Sequence, residues 1–202
     1  MPSIIDAARA DASARGTGGR PARPSRPATA YGELHRSGSD HEGDGTMGFD
    51  RDEIAEAFDA YQAAANEAGR TGDWRPWVER FTPDVHYIEH LYGEFHGREA
   101  VLAWISKTMT AWPFTQMQIF PWDWYTIDAE QGFVVGQVEN RFVDPGDGQV
   151  YEGANWTRLI YAGDGLFASE EDVYNPAHFA PVVERWLAAW AAHHPESPNG
   201  PG

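Results

Sequence analysis

Three short stretches of this sequence carry side chains able to do chemistry, and in each the residues alternate between two faces of an extended chain. In 166–174 (LFASEEDVY), Glu170, Asp172 and Tyr174 share one face, while Phe167, Ser169, Glu171 and Val173 share the other. In 85–91 (VHYIEHL), Tyr87 and Glu89 fall together. In 133–143 (FVVGQVENRFV), Gln137, Glu139 and Arg141 do so. A carboxyl group enclosed by apolar surface keeps its proton to higher pH and is poised as a general acid or base. Asp172, Glu89 and Glu139 are the carboxyl groups singled out on these faces, and Tyr87 stands beside Glu89. If Glu139 and Asp172 lay close together without a cation between them, one would hold a proton. Each residue also has a plainer reading. Glu89 can hold loop amides at a strand end, Asp172 can be solvated on an open sheet face, and polar alternation over 137–141 suits a face that meets water or a second subunit.

His86-Tyr-Ile-Glu89-His90 matches H-x-x-E-H, a zinc-protease pattern that requires a helix. The flanking Val85, Tyr87 and Ile88 favour a strand, on which His86 and His90 point away from Glu89. The match is read as coincidence, His86, His90 and His96 as surface residues on a rim, and no metal is assigned.

The elements that must position these groups are legible in order. Asp50 and Glu53 form a capping box before a helix whose stripe is Ile54, Phe58, Tyr61, Ala65 and Ala68, ended by Gly69 and Gly72. A short helix at 74–81 begins with Pro76 in its first turn. A strand follows from Val85 to Leu91, then a loop closed by Gly93 and Gly97, then a helix from Arg98 to about Ala111. The segment 114–127 is extended but carries Pro121, which places it at an edge or a bulge. Two hairpins join 133–143, 150–161 and 166–174 through turns at 144–148 and 162–165. Asn175 and Pro176 open a last helix with Phe179, Val183, Trp186 and Trp190 on one face. This order is α+β, with helices gathered on one face of a strongly bent, mainly antiparallel sheet. Residues 48–194 form that domain. Residues 1–47, rich in Gly, Ala, Ser, Pro and Arg without an apolar period, read as a disordered extension, and a mis-assigned start before Met47 would also account for them. Residues 195–202 read as a flexible tail.

A net charge of −16 argues against nucleic acid and anionic membrane surfaces as partners. The first 47 residues balance six Arg against six Asp and Glu, so the acid excess belongs to the domain. With no cysteine there is no disulfide framework, and a cytoplasmic setting is expected. No apolar run approaches the ~20 residues of a membrane helix.

The run F-x-x-D-x-x-Y-x-E at 81–89, with the Gly97-Arg98-Glu99-Ala100 helix start, resembles the SnoaL-like branch of the NTF2-like superfamily, a cone shared with ketosteroid isomerases and limonene epoxide hydrolases. The resemblance implies a ligand site inside the cone, a homodimer packed through the sheets, and cofactor-independent acid–base chemistry on a small, apolar, oxygenated molecule. Cyclisation, isomerisation, dehydration and hydrolysis all fall within it, and so does a non-catalytic binding module. It sets Glu89 where the isomerases carry a proton-shuttling Asp, and Tyr87 where the epoxide hydrolases position water. Asp172 matches their pocket Asp, Glu139 the other Asp of the pair, and Gln137 the Arg that bridges the two. The isomerase oxyanion Tyr falls at Ala65 and its partner Asp at Thr157, so steroid isomerase chemistry is poorly supported. Tyr61, one turn earlier, can donate into the cavity. Asn155, Thr157 and Tyr174 are candidate ligand contacts, whereas Trp122, Trp124 and Trp156 read as packing or interface groups.

Overall fold

A computed structural model describes residues 48–200, so the reading of residues 1–47 lies outside them. Helix α1 (Arg51–Thr71) starts at Asp50, whose carboxylate accepts the Asp52 amide at 2.7 Å. Glu53 does not close the expected capping box; it accepts a hydrogen bond from the Tyr161 hydroxyl at 2.5 Å and ties the helix to the sheet. Ile54, Phe58, Tyr61, Ala65 and Ala68 are buried. The helix ends at Gly72, in the left-handed region at φ 79°. Gly69 stays helical: a Cβ there would meet the Gln118 carbonyl at 2.8 Å, so its role is close approach to the sheet.

A four-residue helix α2 (Arg75–Val78) leads into β1 (Phe81–Glu89). The following segment is not a loop but a strand, β2 (Gly93–His96), antiparallel to β1. Helix α3 (Arg98–Met109) comes next, with Arg98 Nε donating to the Phe81 carbonyl at 2.7 Å. The segment 114–127 divides at Pro121 into a 3₁₀ turn, β3 (Met117–Ile119) and β4 (Trp122–Asp128), and both strands pair with β5 (Phe133–Phe142). Strands β6 (Glu152–Gly163) and β7 (Leu166–Val173) complete a seven-stranded sheet in the order β2-β1-β7-β6-β5-β3, with β4 also on β5. Only β1 and β7 run parallel. Helix α4 (Pro176–His193) is capped by Asn175 and buries Phe179, Val183, Trp186 and Trp190.

Among the described residues, four helices on a curled, mixed sheet make the expected α+β cone. Its core gathers the α1 stripe, Trp74, Trp77 and the inward residues of the central strands. Residues 195–200, expected as a free tail, form turns in which the Trp190 indole donates to the Ser197 carbonyl at 3.0 Å. Among the described residues, no helix is long and apolar enough to cross a membrane.

Candidate functional site

The pleat and the strand order bring four strands' inward residues into one patch. Across β1 and β7, Tyr87 lies beside Glu170 and Glu89 beside Asp172. Across β7 and β6, Asp172 faces Thr157. Asn155 faces Val138 across β6 and β5. These residues line a cavity of about 130 Å³, which aromatic side chains that include Trp74, Trp77, Trp104 and Phe179 also line. A cavity of about 150 Å³ admits benzene, so the space suits a one-ring molecule.

Glu170 is 2% exposed and Asp172 7%, yet every carboxylate oxygen of the pair has a hydrogen-bond partner. The Tyr61 hydroxyl lies 2.9 Å from both Glu170 oxygens. Asp172 accepts from Asn155 Nδ2 at 2.8 Å, from Thr157 Oγ1 at 2.5 Å, and from the Tyr87 hydroxyl in a very short contact. The Tyr87 oxygen also lies 3.2 Å from Glu170 Oε1. Tyr87 has one hydroxyl proton, and Asp172 takes it, so the Glu170 contact is favourable when Glu170 itself carries a proton and donates. The result is a chain, Tyr61 to Glu170 to Tyr87 to Asp172, with one proton shared by two carboxyl groups. Burial pushes the Glu170 carboxyl well above the usual range, and the Asp172 charge adds to the rise. Burial raises Asp172 as well, while hydrogen bonds from Thr157, Tyr87 and Asn155 pull it back towards the ionised form. The environments thus separate the two groups into an acid, Glu170, and a carboxylate, Asp172.

Glu89 lines the same cavity and is 3% exposed, but its Oε2 accepts the Leu91 and Tyr92 amides at 2.8 and 2.5 Å. It holds the β1–β2 turn, the plainer of its two readings. Burial raises its pKa, against the backbone bond from Tyr92 and the hydroxyl of Tyr174. Tyr174 lines the cavity beside it.

Glu139 and Gln137 are not brought to this site. Val138 and Asn140 are the β5 residues that line the cavity. Glu139 and Gln137 point to the opposite face, where Gln137 Nε2 donates to Glu139 Oε1 at 2.7 Å and Gln137 Oε1 accepts from the Trp156 indole at 3.1 Å. Arg141 pairs with Glu152 at 2.7 Å and does not bridge the carboxylates. The reason is register: β6 pairs Asn155 with Val138, so an inward Asn155 requires an outward Glu139. The carboxylate that does meet Asp172 is Glu170. The alternation of 170, 172 and 174 already put it on that face; what the sequence lacked was a sign that Glu170 lies deep enough to be enclosed.

The SnoaL-like domain family model matches residues 52–169, more than half of the chain and ending one residue before Glu170. The chain belongs to the SnoaL-like domain family. Solved structures similar to this SnoaL-like domain include an epoxide hydrolase of M. tuberculosis of the LEH-like kind, 12% identical over 70% of this chain and 96% of that one, at a TM-score of 0.51. A Catenulispora acidiphila protein with a ketosteroid isomerase-like fold, in complex with trimethylamine, is 16% identical over 64% and 92% of the two chains, at 0.50. AclR from Streptomyces galilaeus is 14% identical over 67% and 98%, also at 0.50. At these identities the likeness is one of fold. None of the curated proteins matches the chain in sequence.

Proposed function

We propose that this SnoaL-like domain is a cofactor-independent acid–base enzyme acting on a small, largely apolar, oxygenated molecule. The observation that carries the reading is the buried Glu170–Tyr87–Asp172 chain at the wall of an aromatic cavity. Asp172 takes a proton from the substrate or from a water beside it, Glu170 gives its own proton as the product forms, and the proton on Asp172 then passes through the Tyr87 hydroxyl to Glu170, which restores both groups. Proton transfer of this kind underlies cyclisation, isomerisation, dehydration and hydrolysis alike. Two further polar atoms orient the ligand: Asn155 Oδ1 and Trp104 Nε1 are buried and have no partner among the described residues, and both residues line the cavity. An acceptor and a donor on an otherwise apolar wall suit a ligand that bears a hydroxyl and a carbonyl or ether oxygen. Glu89 is a scaffold for the turn in this reading, and Tyr61 and Thr157 orient the two carboxyl groups. The protein acts as a cytoplasmic homodimer, a reading supported by the absence of cysteine and by the exposed Trp124, Trp156 and Val173 on the outer sheet face.

A panel of one-ring epoxides and polyketide-like ketones tests the proposal. Against any substrate found, Asp172→Asn is expected to lower kcat/KM by about 10²–10⁴-fold with circular dichroism unchanged. Unaltered turnover in a folded Asp172→Asn variant would overturn the mechanism. One observation favours a second reading, a ligand-binding module: three donors already satisfy Asp172, which weakens it as a base. In that case calorimetry would show ligand bound by wild type, and no member of the panel would be converted.

A further inference from the structure

We propose a divalent metal site on the outer face of the β1–β2 ribbon, formed by His86, His96 and Glu94. The register sets His86 directly opposite His96, and Glu94 opposite Ile88, so all three side chains emerge on the face away from the cavity. The two imidazole rings stack with centroids 4.4 Å apart and planes 15° from parallel. His86 Nε2 lies 2.9 Å from Glu94 Oε2. One ligand atom from each of the three residues lies within 4.8 Å of the others. Ligands at about 2.0–2.1 Å from a shared zinc ion stand roughly 3.3 Å apart in tetrahedral geometry, so small side-chain rotations convert the present cluster into a ligand set.

Two imidazole nitrogens and one carboxylate oxygen are a borderline-soft set that suits Zn²⁺, Ni²⁺ or Cu²⁺ rather than Mg²⁺ or Ca²⁺. The remaining coordination positions open to water, since the His86 and Glu94 side chains are 37% and 60% exposed. The platform is rigid for a surface site. β1 is hydrogen-bonded on both sides, and Glu89 fixes the turn that delivers β2. The chain's charge of −16 raises the local cation concentration. The H-x-x-E-H run enters only through His86: Glu89 points inward, and His90 pairs with Glu171 at 3.0 Å. The sheet separates this site from the Asp172 cavity, so the proposal stands or falls independently of the catalytic one.

The test is titration of the full chain, free of any histidine tag, with Co²⁺ followed by its visible absorption, and with Zn²⁺ followed by calorimetry. The expected result is one ion per chain, affinity that falls on acidification as protons compete for the imidazoles, and roughly tenfold or greater weakening in His86→Ala and in His96→Ala. Glu94→Gln weakens binding less, and His90→Ala leaves it unchanged. All four positions are at the surface, and circular dichroism verifies folding of each variant. Binding that persists undiminished in the His86→Ala/His96→Ala double variant, or no binding to wild type at millimolar Zn²⁺, would overturn the proposal.

Discussion

Glu170 and Asp172 stand two residues apart on one strand, on one face, with a tyrosine hydroxyl between them, and that spacing makes their protonation states interdependent. The folded-state pKa of Glu170 is raised above its unfolded value of about 4.3. The folded protein therefore holds a proton that the unfolded chain releases. The stability this group contributes is complete below about pH 4.3 and declines as pH rises towards the folded value. Glutamine mimics the protonated acid, accepting from Tyr61 and donating to Tyr87. Urea unfolding of Glu170→Gln is expected to lie within about 1 kcal/mol of wild type near pH 4 and to gain on it as pH rises towards the folded-state value. Glu170→Ala strands the Tyr61 hydroxyl, leaves the Tyr87 hydroxyl with Asp172 alone, and is expected to cost about 1–3 kcal/mol throughout. A difference between wild type and Glu170→Gln that did not change with pH would mean that Glu170 is ionised in the folded protein.

At the scale of elements, the β1–β2 ribbon depends on a carboxylate that the sequence suggested for catalysis. Glu89 accepts two turn amides from a position 3% exposed, and among the described residues no other side chain caps those groups. Glu89→Ala is expected to raise hydrogen-exchange rates at Leu91 and Tyr92 selectively and to lower global stability by about 1–3 kcal/mol. Exchange at those amides unchanged from wild type would show that the turn holds by its backbone alone. Helix α3 anchors the other end of β1 through Arg98 on the Phe81 carbonyl, so this strand is fixed at both ends around the site.

At the scale of the molecule, the outer sheet face divides in two. One end carries polar pairs, with Arg158 and His90 both on Glu171 and His86 on Glu94. The other carries a stripe that crosses β4, β5, β6 and β7 at Trp124, Gln137, Trp156 and Val173. Trp124 and Trp156 meet edge to face at 5.6 Å, and with Val173 they remain 41%, 56% and 48% exposed. Such a stripe is covered when two sheets meet. Light scattering is expected to return twice 22.5 kDa for wild type and the single mass for Trp156→Glu. A monomeric wild type would remove the dimer from the reading.

The sequence by itself determined the elements, apart from β2 and the division of 114–127, and the parity within the strands it located. Period-2 alternation put Tyr87 with Glu89 and Glu170 with Asp172 and Tyr174, and the apolar stripe with its caps located the first and last helices. These are local properties, set by pleat, helical period and turn chemistry. Which face of each strand turns inward was decided by pairing across strands, a non-local property. The loop between β5 and β6 spans 143–151 rather than a tight turn at 144–148, and the register it sets carried Glu139 and Gln137 outward while enclosing Asn155. The parallel contact of β1 with β7 joins residues more than 80 positions apart, and it alone makes Glu170 and Asp172 neighbours of Tyr87. The depth that raises the pKa of Glu170 comes from α1 and Tyr61 closing over that contact, which no stretch of sequence encodes on its own.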